Sequence, residues 1–130
     1  MKEIVAVVIT ALIASAAVAA EPAFKRNILQ RSDVNATQES VLGTGELAAG
    51  GVIDRHSHHG IEMTYVLEGE VELVIDGETP RRLKAGDSFV VPAGKVHAAK
   101  NVGAIPCKLV GVWVVEKGRP LAVPANSPIP

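Results

Sequence analysis

The stretches GGVIDRHSHHGIEMTYVLEG, residues 50–69, and GDSFVVPAGKVHAAKN, residues 86–101, together hold all four histidines of the chain. Side chains two apart on a β-strand leave the same face, so His56 and His58 project to one side of a sheet. Glu62 has the same parity but lies past Gly60, where the strand can bend. His97 has to arrive from elsewhere, and the residues in between supply the turns. Asp76 and Gly77, set inside alternating apolar residues, are a hairpin signal, and Pro92-Ala93-Gly94 forces a further turn just before His97. A sheet folded back on itself would bring His97 opposite the first cluster.

Three imidazoles and one carboxylate suit iron, manganese, nickel, copper or zinc; magnesium and calcium prefer all-oxygen shells. The residues therefore point to one divalent transition metal ion held by His56, His58, Glu62 and His97. Six-coordination would leave two positions open for water, dioxygen or substrate. Glu62 has a second candidate role, as a catalytic proton acceptor. His59 has the opposite strand parity and is expected at the rim or surface, its functional alternative being a proton carrier at the pocket edge.

Both stretches match the two motifs of the cupin superfamily, G(X)5HXH(X)3,4E(X)6G and G(X)5PXG(X)2H(X)3N, at ten fixed identities. At ordinary residue frequencies, a chance double match is roughly one in a billion or rarer. The chain thus resembles a small single-domain cupin over about residues 43–115. The resemblance implies an all-β fold, the cupin jelly-roll β-barrel or double-stranded β-helix. It also implies His56, His58, Glu62 and His97 as metal ligands, Gly50, Gly69, Gly86, Pro92 and Gly94 as turn-formers, and Asn101 as a structural polar residue.

The chain has 130 residues and a formal net charge of −1, enough for one small domain. Its lysines and arginines are scattered, and Phe24, Tyr65, Phe89 and Trp113 are its only aromatic residues besides histidine. Nucleic-acid binding, which wants a basic stripe and stacking aromatics, is not expected. Cys107, the single cysteine, cannot form an internal disulfide and reads as a buried, inert thiol.

Residues 1–20 read as a signal peptide. Lys2 precedes an apolar, alanine-rich run, and Ala17-Val18-Ala19 or Val18-Ala19-Ala20 supplies a small-residue cleavage pattern. Cleavage would leave no stable membrane span and an exported chain, periplasmic or secreted. Residues 21–42 read as an N-terminal arm without sustained period, 43–116 as the cupin domain and 117–130 as a proline-rich tail, extended or disordered.

Strands are expected at 41–48, 51–58, 62–67, 71–76, 80–84, 88–91, 96–101 and 107–115, with no amphipathic helix. If Glu62 points inward, so do Thr64 and Val66, and Met63, Tyr65 and Leu67 form an exterior apolar stripe. The stripe calls for a cover, either the N-terminal arm or a second subunit in a homodimer. Thr64, Val66, Val90 and Val112 are expected to line a small apolar pocket.

One fold hosts many functions. The first reading is a small-molecule dioxygenase using the three-His, one-Glu site. The alternatives are a non-enzymatic metal or small-ligand binder, and a metal-dependent isomerase or lyase in which Tyr65, Glu62 or His59 moves the proton.

Overall fold

Short apolar runs cut by glycine become ten β-strands in the computed structural model, which describes residues 20–125. In chain order they are β1 (Phe24–Asp33), β2 (Gln38–Leu47), β3 (Val52–Ser57), β4 (Gly60–Glu68), β5 (Glu70–Ile75), β6 (Arg81–Lys84), β7 (Ser88–Val91), β8 (His97–Asn101), β9 (Cys107–Glu116) and β10 (Val123–Pro124). No helix occurs among the described residues. The expected signal peptide falls on residues that lie, but for Ala20, outside the described ones, as do residues 126–130 of the tail.

The strands form two five-stranded antiparallel sheets, ordered β1-β2-β9-β4-β7 and β10-β3-β8-β5-β6. Alternation along each strand turns one face inward, and Leu47, Val66, Val71, Leu73, Ile75 and Val91 close the space between the sheets as a dry core. This is the expected jelly roll.

The motif glycines Gly50, Gly69, Gly86 and Gly94 all adopt positive φ. At Gly69 there is a second constraint, because a Cβ would sit 2.9 Å from the Cys107 Cα. Asn101 is structural as expected. Its buried Nδ2 donates to the carbonyls of Leu47 (2.9 Å) and Ile105 (2.8 Å), and its Oδ1 accepts from the Gly103 N–H (2.9 Å).

The N-terminal flank departs from the expectation. The segment read as an arm is β1, which pairs with β2 from Phe24↔Leu47 to Asp33↔Glu39 and extends the first sheet by a full strand. It shows no apolar two-residue period because only Phe24 and the cation Arg26 are partly buried, and the rest of this edge strand is exposed on both faces. The tail is tied down in its described part, with Val123 and Pro124 pairing against Ser57 and His56 of β3. Neither flank covers the exterior stripe. β1 sits at the sheet edge beyond β2 and β9, and Met63, Tyr65 and Leu67 stay 44–48% exposed.

Candidate metal centre

Cross-strand pairing assembles the site. His56 on β3 and His97 on β8 are direct partners in the second sheet, and a bulge between Ile53 and His56 re-aims β3 there. His58 follows β3, while Glu62 comes from β4 in the opposite sheet, where it pairs with Trp113. The four side chains are buried, and their ligand atoms all lie within 4.8 Å of one another. Two ligands each ~2.1 Å from a transition metal ion are at most ~4.2 Å apart, so the group needs only a slight contraction to hold one.

Hydrogen bonding fixes which nitrogen faces the centre. His56 Nδ1 lies 2.7 Å from the Asp54 carbonyl, His58 Nδ1 2.5 Å from that of Leu121, and His97 Nδ1 3.0 Å from that of Lys95. A carbonyl only accepts, so each Nδ1 carries the proton and each Nε2 presents a lone pair. Trp113 Nε1, which only donates, reaches His58 Nε2 at 3.3 Å, consistent with that tautomer. The Glu62 Oε2 lies 2.7 Å from His58 Nε2 and 3.2 Å from His97 Nε2. Acceptors facing acceptors at these distances need a cation between them, a proton or a metal ion. Imidazoles oriented by carbonyls behind them are also the usual support of a metal site. The donor set therefore fits a divalent transition metal ion.

Electrostatics agree. Burial pushes the His56 imidazole down to about 4, leaving it neutral at ordinary pH, as a ligand must be. Burial would raise the Glu62 carboxyl, but its contacts with the His58 and His97 rings, whenever a proton is shared between Oε2 and an Nε2, and the hydrogen bond from Thr64 outweigh it and hold the group well below the usual carboxylate range. Thr64 Oγ1 donates to Glu62 Oε1 at 2.7 Å.

The remaining expected residues divide. His59 stands outside the group, with its ring against the Arg119 guanidinium at 3.3 Å. Tyr65 is on the outer face and exposed, which removes it as a proton carrier in the pocket. Thr64 lines the cavity next to the centre, and Val66 belongs to the dry core instead. The expectation for Val90 and Val112 was wrong in parity: Val90 is 48% exposed, and Phe89, Leu109, Gly111 and Trp113 are the inward residues of β7 and β9. Cys107 is buried as expected, and burial pushes its thiol up to about 11.

The cavity beside the centre has a volume of about 30 Å³. It is narrow and mostly apolar, walled by Phe24, Ile53, Leu73, Phe89 and Trp113. Sequence reasoning missed Phe24 and Arg26 of β1, both of which line it.

The model of the cupin domain family matches residues 43–126. The chain belongs to the cupin family. Among solved structures, this cupin is similar to a conserved double-stranded beta-helix protein of Klebsiella pneumoniae, with TM-score 0.65 and 28% identity, covering 79% of this chain and 85% of that one. The dimethylsulfoniopropionate lyase DddQ of Ruegeria pomeroyi shares the fold with TM-score 0.66 and 24% identity, covering 78% of this chain and 51% of the lyase. Aligned by sequence, that lyase is 39% identical over 46 residues, 35% of this chain and 23% of the lyase. Nectarin-1 of the hybrid Nicotiana langsdorffii x Nicotiana sanderae is 27% identical over 95 residues, 65% of this chain and 42% of nectarin-1. The chain thus spans less than half the length of these two curated relatives.

Proposed function

We propose that this cupin is an exported metal-dependent enzyme acting on a small molecule with dioxygen as co-substrate, a dioxygenase. The observation that carries the metal site is the convergence of three Nε2 lone pairs and the Glu62 carboxylate, each imidazole being locked by a carbonyl behind it. A bound iron, manganese, nickel or copper ion would supply Lewis acidity and one-electron chemistry there.

The chain's own residues supply the rest. Glu62, freed from one of its contacts, can accept a substrate proton, with Thr64 Oγ1 holding its other oxygen. The apolar wall excludes water from a reactive centre. Glu62 is the only carboxylate among the lining residues, which include no tyrosine, lysine or cysteine. Reactions that need two proton carriers are poorly served by such a lining, and this favours oxygen chemistry. A lyase is the second reading, favoured by the local likeness to the lyase DddQ.

Loading the protein with Fe(II), Mn(II), Ni(II), Cu(II) or Zn(II) and assaying phenolics, 1,3-diketones and hydroxy acids with and without oxygen tests the reading. A dioxygenase consumes oxygen with the redox metals and is inert with zinc. Turnover without oxygen, zinc included, selects the lyase. Saturable binding without turnover for every metal form selects a binding protein.

Two further proposals accompany this one. Export removes residues 1–20, so mass spectrometry of protein from the cells' envelope fraction should find a start near Ala20 or Glu21; an intact Met1 in the membrane fraction would refute it. Two copies pair through the exposed Met63, Tyr65 and Leu67. Sedimentation should give a dimer that Tyr65→Glu shifts towards monomer, and a monomeric parent at high concentration would refute pairing.

A further inference from the structure

Arg26 has no role in the fold that accounts for its position. It lies opposite Gly45 on β2, whose missing side chain leaves room for the Phe24 ring, and its guanidinium carbon sits 5.4 Å from the Phe24 ring centroid and 5.3 Å from that of Trp113. Its Nε is buried without a hydrogen-bond partner, and the guanidinium feels the Glu62 carboxylate across the cavity with no direct ion pair to it among the described residues. Stacking on two rings offsets part of the cost of half-burying a cation, but it leaves the in-plane Nε–H unused. Buried charges are ordinarily paired, so an unpaired one facing a cavity marks where a counter-charge belongs. Glu62, His56 and His97 line the same cavity.

We infer that Arg26 is the anchor for a carboxylate, and that the substrate class of this cupin is a short 2-hydroxy or 2-oxo carboxylic acid, its carboxylate on Arg26 and its second oxygen towards the three-His, one-Glu centre. The inference rests on the metal-centre reading given above. A planar guanidinium matches a carboxylate in two parallel hydrogen bonds. Charge points the same way: three neutral imidazoles, one carboxylate and a divalent ion sum to a net +1, and Arg26 adds another, so the cavity selects an anion. Size does too, since a cavity this narrow admits only a few heavy atoms between the metal position and the guanidinium.

The probes are lactate and its neutral isostere lactamide, measured by calorimetry against the Zn(II)-loaded, redox-silent protein, with metal content determined on each sample. Lactate should bind at least about tenfold more tightly than lactamide, and Arg26→Met should remove that preference while leaving metal content and lactamide affinity unchanged. Arg26→Lys should restore part of the preference, because it keeps the charge and loses the planar fork. The wild-type comparison needs no variant, so a misfolded Arg26→Met does not spoil the test. Equal affinities for the two probes in metal-loaded wild type, or a preference that survives Arg26→Met, overturn the inference and leave the metal reading standing. Absence of metal from every sample, with an Arg26-dependent lactate preference still present, overturns the metal reading and upholds the carboxylate site.

Discussion

The two walls of the cavity were built by different rules. At the metal end, three of the four donors lie within seven residues, and the fourth is the direct cross-strand partner of the first. At the β1–β9 end, Arg26, Phe24 and Trp113 meet from segments almost ninety residues apart, joined only through the register of β1, β2 and β9. The first kind of site is set largely by local spacing and one cross-strand pair. The second depends on packing, and a single Cβ can disturb it: one added at Gly111 would lie 2.6 Å from the Trp113 ring.

Breaking the metal end gives the largest effect. His97→Ala or His56→Ala should lower metal affinity by more than about hundredfold, since even changes behind the ligands cost ~10–100-fold, while circular dichroism of the metal-free protein keeps its β signature. Elemental analysis and chelator competition check this. Equal loss from His59→Ala, which lies outside the group, would contradict the assignment.

Breaking the packed wall acts on stability instead. Trp113→Ala empties a buried indole site beside Val41 and Val115 and should cost about 3–5 kcal/mol in denaturant unfolding. Metal affinity should change far less than for a lost ligand, because Trp113 supplies no ligand atom and its N–H only shares the His58 Nε2 lone pair. A fully metal-free Trp113→Ala would show that the two walls are one unit.

Acid probes the metal end in the metal-free protein. The His56 imidazole titrates at about 4 in the fold against 6.5 for the free group, so between these values the unfolded chain binds a proton that the fold refuses. Stability is therefore full above about 6.5 and declines as pH falls towards 4, by at most about 3 kcal/mol from this group. Glu62, held below its ordinary range, acts in the same direction: its contribution is present above 4.5 and lost on further acidification. Urea melts between pH 7 and 4 should show the decline, and His56→Ala should flatten the part above about 4.5. Stability that rose on acidification would reverse both assignments.

The rim should respond least. His59→Ala removes only an exposed contact with Arg119, and it should change unfolding free energy by less than about 0.5 kcal/mol and leave metal affinity unchanged.

The same contrast explains what could be read from residue order. The spacing of His56, His58 and Glu62, the hairpin at Gly77 and the turn at Gly94 named the candidate ligands and the barrel, because strand parity and positive-φ turns are local properties. Val90 and Val112 face outward, against the expectation, because in β7 and β9 apolar residues stand on both faces and only one polar residue near each strand start, Ser88 and Lys108, marks the outer parity they share. β1 went unrecognised because only Phe24 and the cation Arg26 of this edge strand are partly buried, which leaves no apolar-polar code.

By itself, then, the sequence determined the fold family and the residues that could hold a metal ion, since both follow from short-range geometry repeated at fixed offsets. Only the tertiary structure decided that β1 completes the first sheet, that Leu121 of the tail fixes the His58 tautomer, and that Arg26 lines the cavity of the candidate ligands with its Nε unbonded. These are contacts between distant segments, set by strand register and by the space that Gly43, Gly45 and Gly111 leave for large side chains, and no local spacing encodes them.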